Sequence, residues 1–371
     1  MYFTLNAPYS PSISQQEAID ALTTHFRTDQ KQTLLGITGS GKTFVMANMI
    51  VAQQKPTLII AHNKTLAAQL FTELKDLFPQ NRVEYFVSFY DYYQPESYLP
   101  TTDTYIEKDS SVNVAIEKMR LHAVSSLVSR RDTIIVASIS CIYSLGNPND
   151  FRTMAVPLIT GHALKRTALL KSLLMIQYER NDSALAPGKF RVRGEVVDII
   201  PAYENTILRV ILEDNYITSI KEIDALTGDV ITKIDETVLY PAKQYVIPEE
   251  KKQRALATIR KELDAHLPSL PPLEAQRLKQ RIEYDMEMIA ELGYCSGIEN
   301  YSRHFEERQA GEPPYTLMDY FGEDYFLIID ESHQTLPQSR AMFNGDVARK
   351  KNLVDYGFRL PSAFDNRPLK F

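Results

Sequence analysis

Residues 32–53, QTLLGITGSGKTFVMANMIVAQ, decide how the rest of the chain is read. The apolar pair Leu34-Leu35 leads into Gly36-Ile37-Thr38-Gly39-Ser40-Gly41-Lys42-Thr43, and a segment of helical periodicity follows. The octet fits GxxxxGK[ST] in the strand-then-helix setting that the pattern requires. Physically, Gly36, Gly39 and Gly41 let backbone N–H groups turn inward, with Thr38 and Ser40, around phosphate oxygens. The helix N-terminus adds positive potential. Lys42 is then expected to reach the β- and γ-phosphates of ATP, and the Thr43 hydroxyl to sit on Mg²⁺.

A phosphate loop needs an acid at the end of a strand. Phe326-Leu327-Ile328-Ile329-Asp330-Glu331-Ser332-His333 supplies two after four apolar residues. Asp330 is expected in the magnesium shell, with Glu331 orienting or deprotonating the attacking water. The Ser-His that follows extends the pair to DExH, the form in which nucleic-acid-dependent ATPases couple phosphate chemistry to motion. Loop and acid are separated by far more chain than one lobe of alternating strands and helices needs, so something is inserted between them.

Over the first 140 or so residues, apolar runs (QTLLGI, PTLIIA, VEYFVS, TIIVAS) alternate with helix-period segments, the rhythm of an α/β parallel sheet covered by helices. The texture then becomes strand-like, in FRVRGEVVDIIPAY, ILRVILED and YITSIKEID, with turns at Pro187-Gly188 and Thr227-Gly228. Helical patterning returns after Pro248, broken at LPSLPPLEAQ, where Pro271 and Pro272 suit a first helical turn. The expected division is residues 1–155 for the first part of the ATPase lobe, with a hairpin at about 88–113. Residues 156–247 form an inserted β-rich domain, 248–320 a helical subdomain, and 321–371 the return to the lobe.

The chain of 371 residues, 44% hydrophobic and 24% charged, has ordinary globular composition. A signal sequence and an apolar stretch of spanning length are both missing, so a cytoplasmic protein without membrane contact is expected. Cys141 and Cys295 lie without ligand spacing, which suggests neither a disulfide framework nor zinc. The net charge of -6 does not advertise a nucleic-acid binder, yet a local groove can coexist with an acidic exterior.

Residues 88–109, SFYDYYQPESYLPTTDTYIEKD, carry six aromatic residues, against 10% over the whole chain. They either form a core cluster or stack on something. Asp91, Gln94, Glu96 and Asp103 interrupt them, and Pro95 and Pro100 would spoil a central strand, which favours stacking.

With the GSGKT loop, IIDESH, YDYYQPESYLPTTDTYIEKD, SCIYSLGNP, QYERND, FRVRGEVVDI and CSGIENYSRH in this order, the chain resembles the UvrB family, the B component of excinuclease ABC, from about residue 10 to its end. The resemblance implies a RecA-like P-loop lobe of helicase superfamily 2, acting as the damage-verifying ATPase of bacterial nucleotide excision repair. Such a protein receives damaged DNA from the A subunit and supports incision by the C subunit. The tyrosine-rich segment is then a hairpin inserted between DNA strands. Tyr92 and Tyr93 fall at its probing positions, Phe89, Tyr90, Tyr98 and Tyr105 are further aromatics, and Lys108 lies near the contacts that anchor the tip. Aromatic faces stack on any base at about 1–3 kcal/mol each without reading sequence. The inserted domain becomes the docking module for the A subunit, through Arg180, Arg191 and Arg193. The segment PSISQQEAI puts Gln15 at the adenine-reading position, without the family's usual Gly-Asp, and Ile211 stands where the family has Glu.

The family's second ATPase lobe and C-terminal segment, where the C subunit docks, are absent from these residues, so weak or no ATP hydrolysis by this polypeptide alone is expected. A non-catalytic adaptor that binds only the A subunit and DNA is the alternative. A transcription-repair coupling translocase shares a similar docking region, but its corresponding lobe usually lacks a working phosphate loop.

Overall fold

The computed structural model describes residues 2–26 and 31–370. Four parallel strands in the order Phe326–Ile329, Thr57–Ala61, Thr133–Ser138, Arg82–Phe86 make the central sheet. The two inner strands are buried along their whole length, as continuous apolar runs of a parallel sheet must be when both faces are covered. Alternation of side chains sorts them into two cores. Leu58, Ile60, Ile135 and Ala137 pack against Ala123, Val124 and Leu127 of the helix Val114–Ser129. Ile59, Ala61, Ile134 and Val136 face Phe44, Ala47 and Ile50 of Lys42–Gln53, and Leu70 and Leu74 of Lys64–Leu77.

One expected strand does not form. QTLLGI has no ladder partner among the described residues, and Leu35 and Ile37 are 95% and 82% exposed. An apolar run becomes a strand only when a neighbour takes its N–H and C=O groups. Among the described residues the outer strand Phe326–Ile329 pairs on one side only, with Thr57–Ala61.

Residues after Val156 leave this sheet. A two-stranded ribbon, Val156–Ile159 with Glu236–Leu239, forms the stalk of a six-stranded sheet ordered Val230–Ile234, Tyr216–Ile223, Ile207–Glu213, Val196–Ile200, Lys189–Arg193, Glu179–Arg180. Its pairs are antiparallel except the last. The inward residues Val197, Ile199, Val210 and Ile220 pack on Leu169 and Leu173 of the helix Arg166–Met175. Next come two helices, Glu249–His266 and Pro272–Leu292, the second starting at Pro272 and closed by Gly293 at φ 71°. Ala255, Ile259 and Leu263 interlock with Leu278, Ile282 and Ile289. After the acid pair, the helix Ser332–Asp355 runs out beside the tyrosine-rich segment.

A histidine joins lobe and inserted domain. His122 Nδ1 lies 2.7 Å from Glu84 on the strand Arg82–Phe86, and its Nε2 3.4 Å from Glu204 at the foot of the inserted sheet. Burial opposes its charge, but the hydrogen bonds and charges of Glu204 and Glu84 outweigh it and lift the pKa to about 9. Because the folded pKa lies above the unfolded value near 6.5, the stabilisation is complete below about pH 6.5 and disappears as pH rises through 9. His122→Gln should therefore cost up to about 3 kcal/mol at pH 6.5 and far less at pH 10. Urea unfolding of both proteins at the two pH values measures this; an equal gap at both would refute it.

Candidate functional site

Gly39 and Gly41 both have φ 80°, and Gly41 caps the helix Lys42–Gln53. The φ of 80° at position 41 favours glycine, and a Cβ there would lie 2.3 Å from Gln15 Nε2; one on Gly36 would lie 2.8 Å from Ser40 Oγ, so the Gln15 or the Ser40 side chain would have to shift. Lys42 folds back over the loop. Its Nζ donates to the carbonyls of Gly36 at 3.1 Å and Ile37 at 3.4 Å and lies 3.6 Å from Glu331 Oε1. Thr38 and Ser40 are exposed, while Thr43 sits half-buried in the first helical turn.

Gln15 uses both ends of its amide. Its carbonyl accepts from Ser12 N–H at 2.9 Å, completing a capping box on the helix Ile13–His25, and its NH₂ donates to Ser40 O at 3.0 Å. One donor and one lone pair remain for a ligand.

Asp330 continues the outer strand, its N–H donating to Ile60 O at 2.9 Å. Burial, and then the charge of Glu331, raise its pKa. Glu331 follows at φ 44°, ψ 52°, a left-handed conformation costing a non-glycine residue about 1–2 kcal/mol. Strain of that kind persists where surroundings enforce it, and it collects at functional sites. Here it turns the carboxylate toward Lys42. His333 is exposed, its Nδ1 3.5 Å from Glu331 Oε2.

The tyrosine-rich segment is a hairpin in two stages. Tyr90–Gln94 pairs with Asp109–Val112 at the root, and Ser97–Leu99 with Thr104–Ile106 in the distal arm. Phe89, Tyr90 and Tyr93 form a run of rings with centroids 4.3 and 4.8 Å apart. Tyr92 and Tyr93 are 50% and 48% exposed. The root is tied to the lobe by Lys64 Nζ on Tyr90 O at 2.9 Å and by Arg120, whose guanidinium donates to Val87 O at 2.9 Å and covers Phe86 at 3.7 Å.

Tyr98 does not belong with the exposed aromatics. It is 6% exposed, packed on Tyr356 and Phe358 at 4.9 and 4.8 Å, with its hydroxyl donating to Asp103, so its faces are closed to a base. Tyr105 stacks flat on Phe358 at 4.6 Å and remains partly accessible. Lys108 reaches Glu299 at 2.6 Å. Sequence reasoning missed the chief anchor of the distal arm. Glu96 accepts from Arg359 Nε at 2.9 and 3.1 Å and from the Tyr105 hydroxyl at 2.6 Å, while Arg349 donates to Glu96 O at 2.6 Å. Partners so far apart in the chain leave no local pattern to read.

On the inserted sheet, register aligns Arg191, Asp198, Arg209, Lys221 and Lys233 as direct cross-strand neighbours in one transverse row on the outer face. Asp198 is buried between Arg191 at 2.9 Å and Arg209 at 2.7 Å. Arg191 is therefore not a free cation. Lys221 and Lys233 have no ion-pair partner among the described residues. The next row holds Arg193, Val196, Ile211 and Ser219, so a cationic line runs beside an apolar one. Arg180 lies exposed on the edge, paired with Asp182 at 2.9 Å.

Three family models match. Residues 9–139 match the res subunit of type III restriction enzymes, 156–245 the UvrB interaction domain and 250–307 the UvrB third helical domain. UvrABC system protein B of Methanococcus maripaludis is 58% identical over 372 residues, covering 100% of this chain and 58% of that protein. The proteins of the same description from Methanosarcina acetivorans and Geobacillus kaustophilus are 58% and 55% identical, again over 100% of this chain and over 55% and 57% of theirs. The chain thus spans somewhat more than half the length of the curated relatives it matches. No helix among the described residues is long and apolar enough to cross a membrane.

Proposed function

The chain belongs to the UvrABC system protein B family, and from that premise we propose that it is the damage-verifying, ATP-binding part of a nucleotide excision repair system. The observation that carries the reading is the hairpin: two half-exposed tyrosines, Tyr92 and Tyr93, rise from the same lobe in which Lys42 meets Glu331. A damage sensor must tolerate every sequence, and aromatic faces do so.

On this reading the lobe is RecA-like. The backbone N–H groups of residues 36–43 hold the phosphates, and Lys42 exchanges its loop carbonyls and Glu331 for phosphate oxygens. Glu331, released from Lys42, accepts a proton from the attacking water. The free donor and lone pair of Gln15 meet the adenine edge. Thr43 hydroxyl and Asp330 carboxylate are hard oxygen donors that fit Mg²⁺, the glycines at 36 and 41 keep side chains out of the cradle, and these two residues would hold the ion. Bound there, magnesium neutralises charge developing on the phosphates. The inserted domain docks the A subunit, whose interface would bring carboxylates to the Arg191–Lys233 row and apolar groups to the Val196–Ile211 row, the mixture suited to a protein rather than a phosphate backbone. Incision by the C subunit follows in the full assembly.

The test is ATP hydrolysis measured with damaged duplex and the A subunit. Lys42→Ala is expected to abolish stimulated turnover. Equal activity of both proteins would favour the adaptor reading, in which the chain only binds. For the docking face, Arg193→Glu with Lys221→Glu should weaken affinity for the A subunit about tenfold or more, since rim charges that repel their partner cost several kcal/mol. Unchanged affinity by titration calorimetry would remove the row from the interface.

A further inference from the structure

The strand Thr57–Ala61 runs parallel to the strand that carries the acid pair, with Ile60 opposite Ile329 and Ile60 O accepting from Asp330 N–H at 2.9 Å. Two residues beyond that pair both chains reach the carboxyl edge of the sheet, where open α/β folds take their ligands, and His62 comes up beside Glu331 there. The proton on its ring is placed by its neighbours. Asn63 caps the helix Lys64–Leu77, its side-chain carbonyl accepting from Leu66 N–H at 2.8 Å, so its NH₂ is the group that lies 2.7 Å from His62 Nε2. An amide NH₂ only donates, so Nε2 accepts and the ring carries its hydrogen on Nδ1. Nδ1 is buried and has no hydrogen-bond partner among the described residues. The turn that presents it is fixed at its far end, where Lys64 O accepts from the Tyr85 hydroxyl and Lys64 Nζ donates to Tyr90 O, each at 2.9 Å.

A buried N–H without an acceptor bears the whole cost of its desolvation, and an acceptor that arrives later recovers it. Asp330 is the acceptor at that edge still short of donors. No side chain bonds its carboxylate among the described residues, and it lies near enough for a charge on the His62 ring to lower its pKa. Glu331, by contrast, is engaged by Lys42 and His333. We propose that His62 is a positioning residue for Asp330, its Nδ1–H donating to the carboxylate as the site closes on nucleotide, so that one oxygen is held and the other is aimed at the magnesium shell. Side chains that bind metals are generally oriented by outer hydrogen bonds of this kind. The inference rests on the ATP-binding reading above and adds to it a residue outside the phosphate loop and the acid pair.

The experiment titrates magnesium into the 371-residue chain with mant-AMPPNP, a fluorescent nucleotide that resists hydrolysis, and reads its anisotropy. His62→Ala should raise the half-saturating magnesium concentration about tenfold or more, the usual cost of losing an outer-shell partner. His62→Asn, whose amide can set an N–H where Nδ1 stood, should recover most of that loss. Affinity measured in EDTA should be the same in all three proteins, since the phosphate loop is untouched. Without any nucleotide, a long-range proton–nitrogen NMR spectrum should show the His62 ring protonated on Nδ1, with the signal identified by its disappearance in His62→Asn. A proton on Nε2, a wild-type magnesium requirement in His62→Ala, or equal losses in His62→Ala and His62→Asn would each overturn the inference and leave the ATP-binding reading standing. A wild-type chain that binds mant-AMPPNP at no magnesium concentration would overturn both.

Discussion

Replacing Tyr92 and Tyr93 together by alanine is expected to abolish damage-specific loading of DNA while leaving the fold and the docking to the A subunit unchanged. Two stacked bases lost at about 1–3 kcal/mol each amount to a weakening of roughly 30-fold to more than 10⁴-fold. Both rings are about half exposed, and among the described residues the Tyr92 hydroxyl bonds only Gln94 at 2.7 Å, a neighbour on the same strand. Tyr93 is the more embedded of the two, since its ring meets Tyr90 at 4.8 Å and burial raises its pKa. Tyr92→Ala alone should therefore leave thermal unfolding where it was, and the double variant should lower it by a few degrees at most. A collapse of the melting temperature would show that the rings form a core cluster, and the loss of DNA binding would then say nothing about stacking.

How much of this was readable beforehand depends on whether the deciding interaction is local. The inner strands announce themselves because burial on both faces demands unbroken runs such as TLIIA and TIIVAS. The phosphate loop is equally legible, since its glycines meet a backbone requirement within eight residues. QTLLGI carries the same apolar signal as the inner runs but finds no ladder partner among the described residues. Within the aromatic segment, Tyr92 and Tyr98 look alike in sequence. What separates them is Phe358 and Tyr356, distant residues that close over Tyr98 alone. The arginines of FRVRGE were identifiable as outward-facing by alternation. That Arg191 is half consumed by Asp198, and that Lys221 and Lys233 prolong its row, required the register of four strand pairs.

Arg359→Ala is expected to destabilise the protein by about 3–5 kcal/mol, the cost of leaving buried carboxylates without their cation. The guanidinium, only 4% exposed, lies between Glu96 at 2.9 Å and Asp285 at 3.4 Å, and Gly297 allows its approach, since a Cβ there would lie 2.8 Å from Arg359 Nη2. Burial opposes the charge, but Glu96, Tyr301 and Asp285 overcome it and raise the pKa, so Arg359 stays protonated at any working pH. The same substitution unties the hairpin's distal arm from the helices. Of the charged tethers, Lys108 to Glu299 is more exposed than Arg359 to Glu96 and is worth no more than about 1 kcal/mol. A double-mutant cycle of Glu96→Ala with Arg359→Ala, read by urea unfolding, should give a coupling of about 0.5–3 kcal/mol. The hairpin amides at 97–106 should exchange faster in Arg359→Ala than in the wild type. If unfolding shifted but those amides kept their protection, the buried pair would stabilise the helical subdomain only. The distal arm would then be held by Tyr98 and Tyr105 packing against Phe358, and an aromatic clamp of that kind would be insensitive to salt and pH.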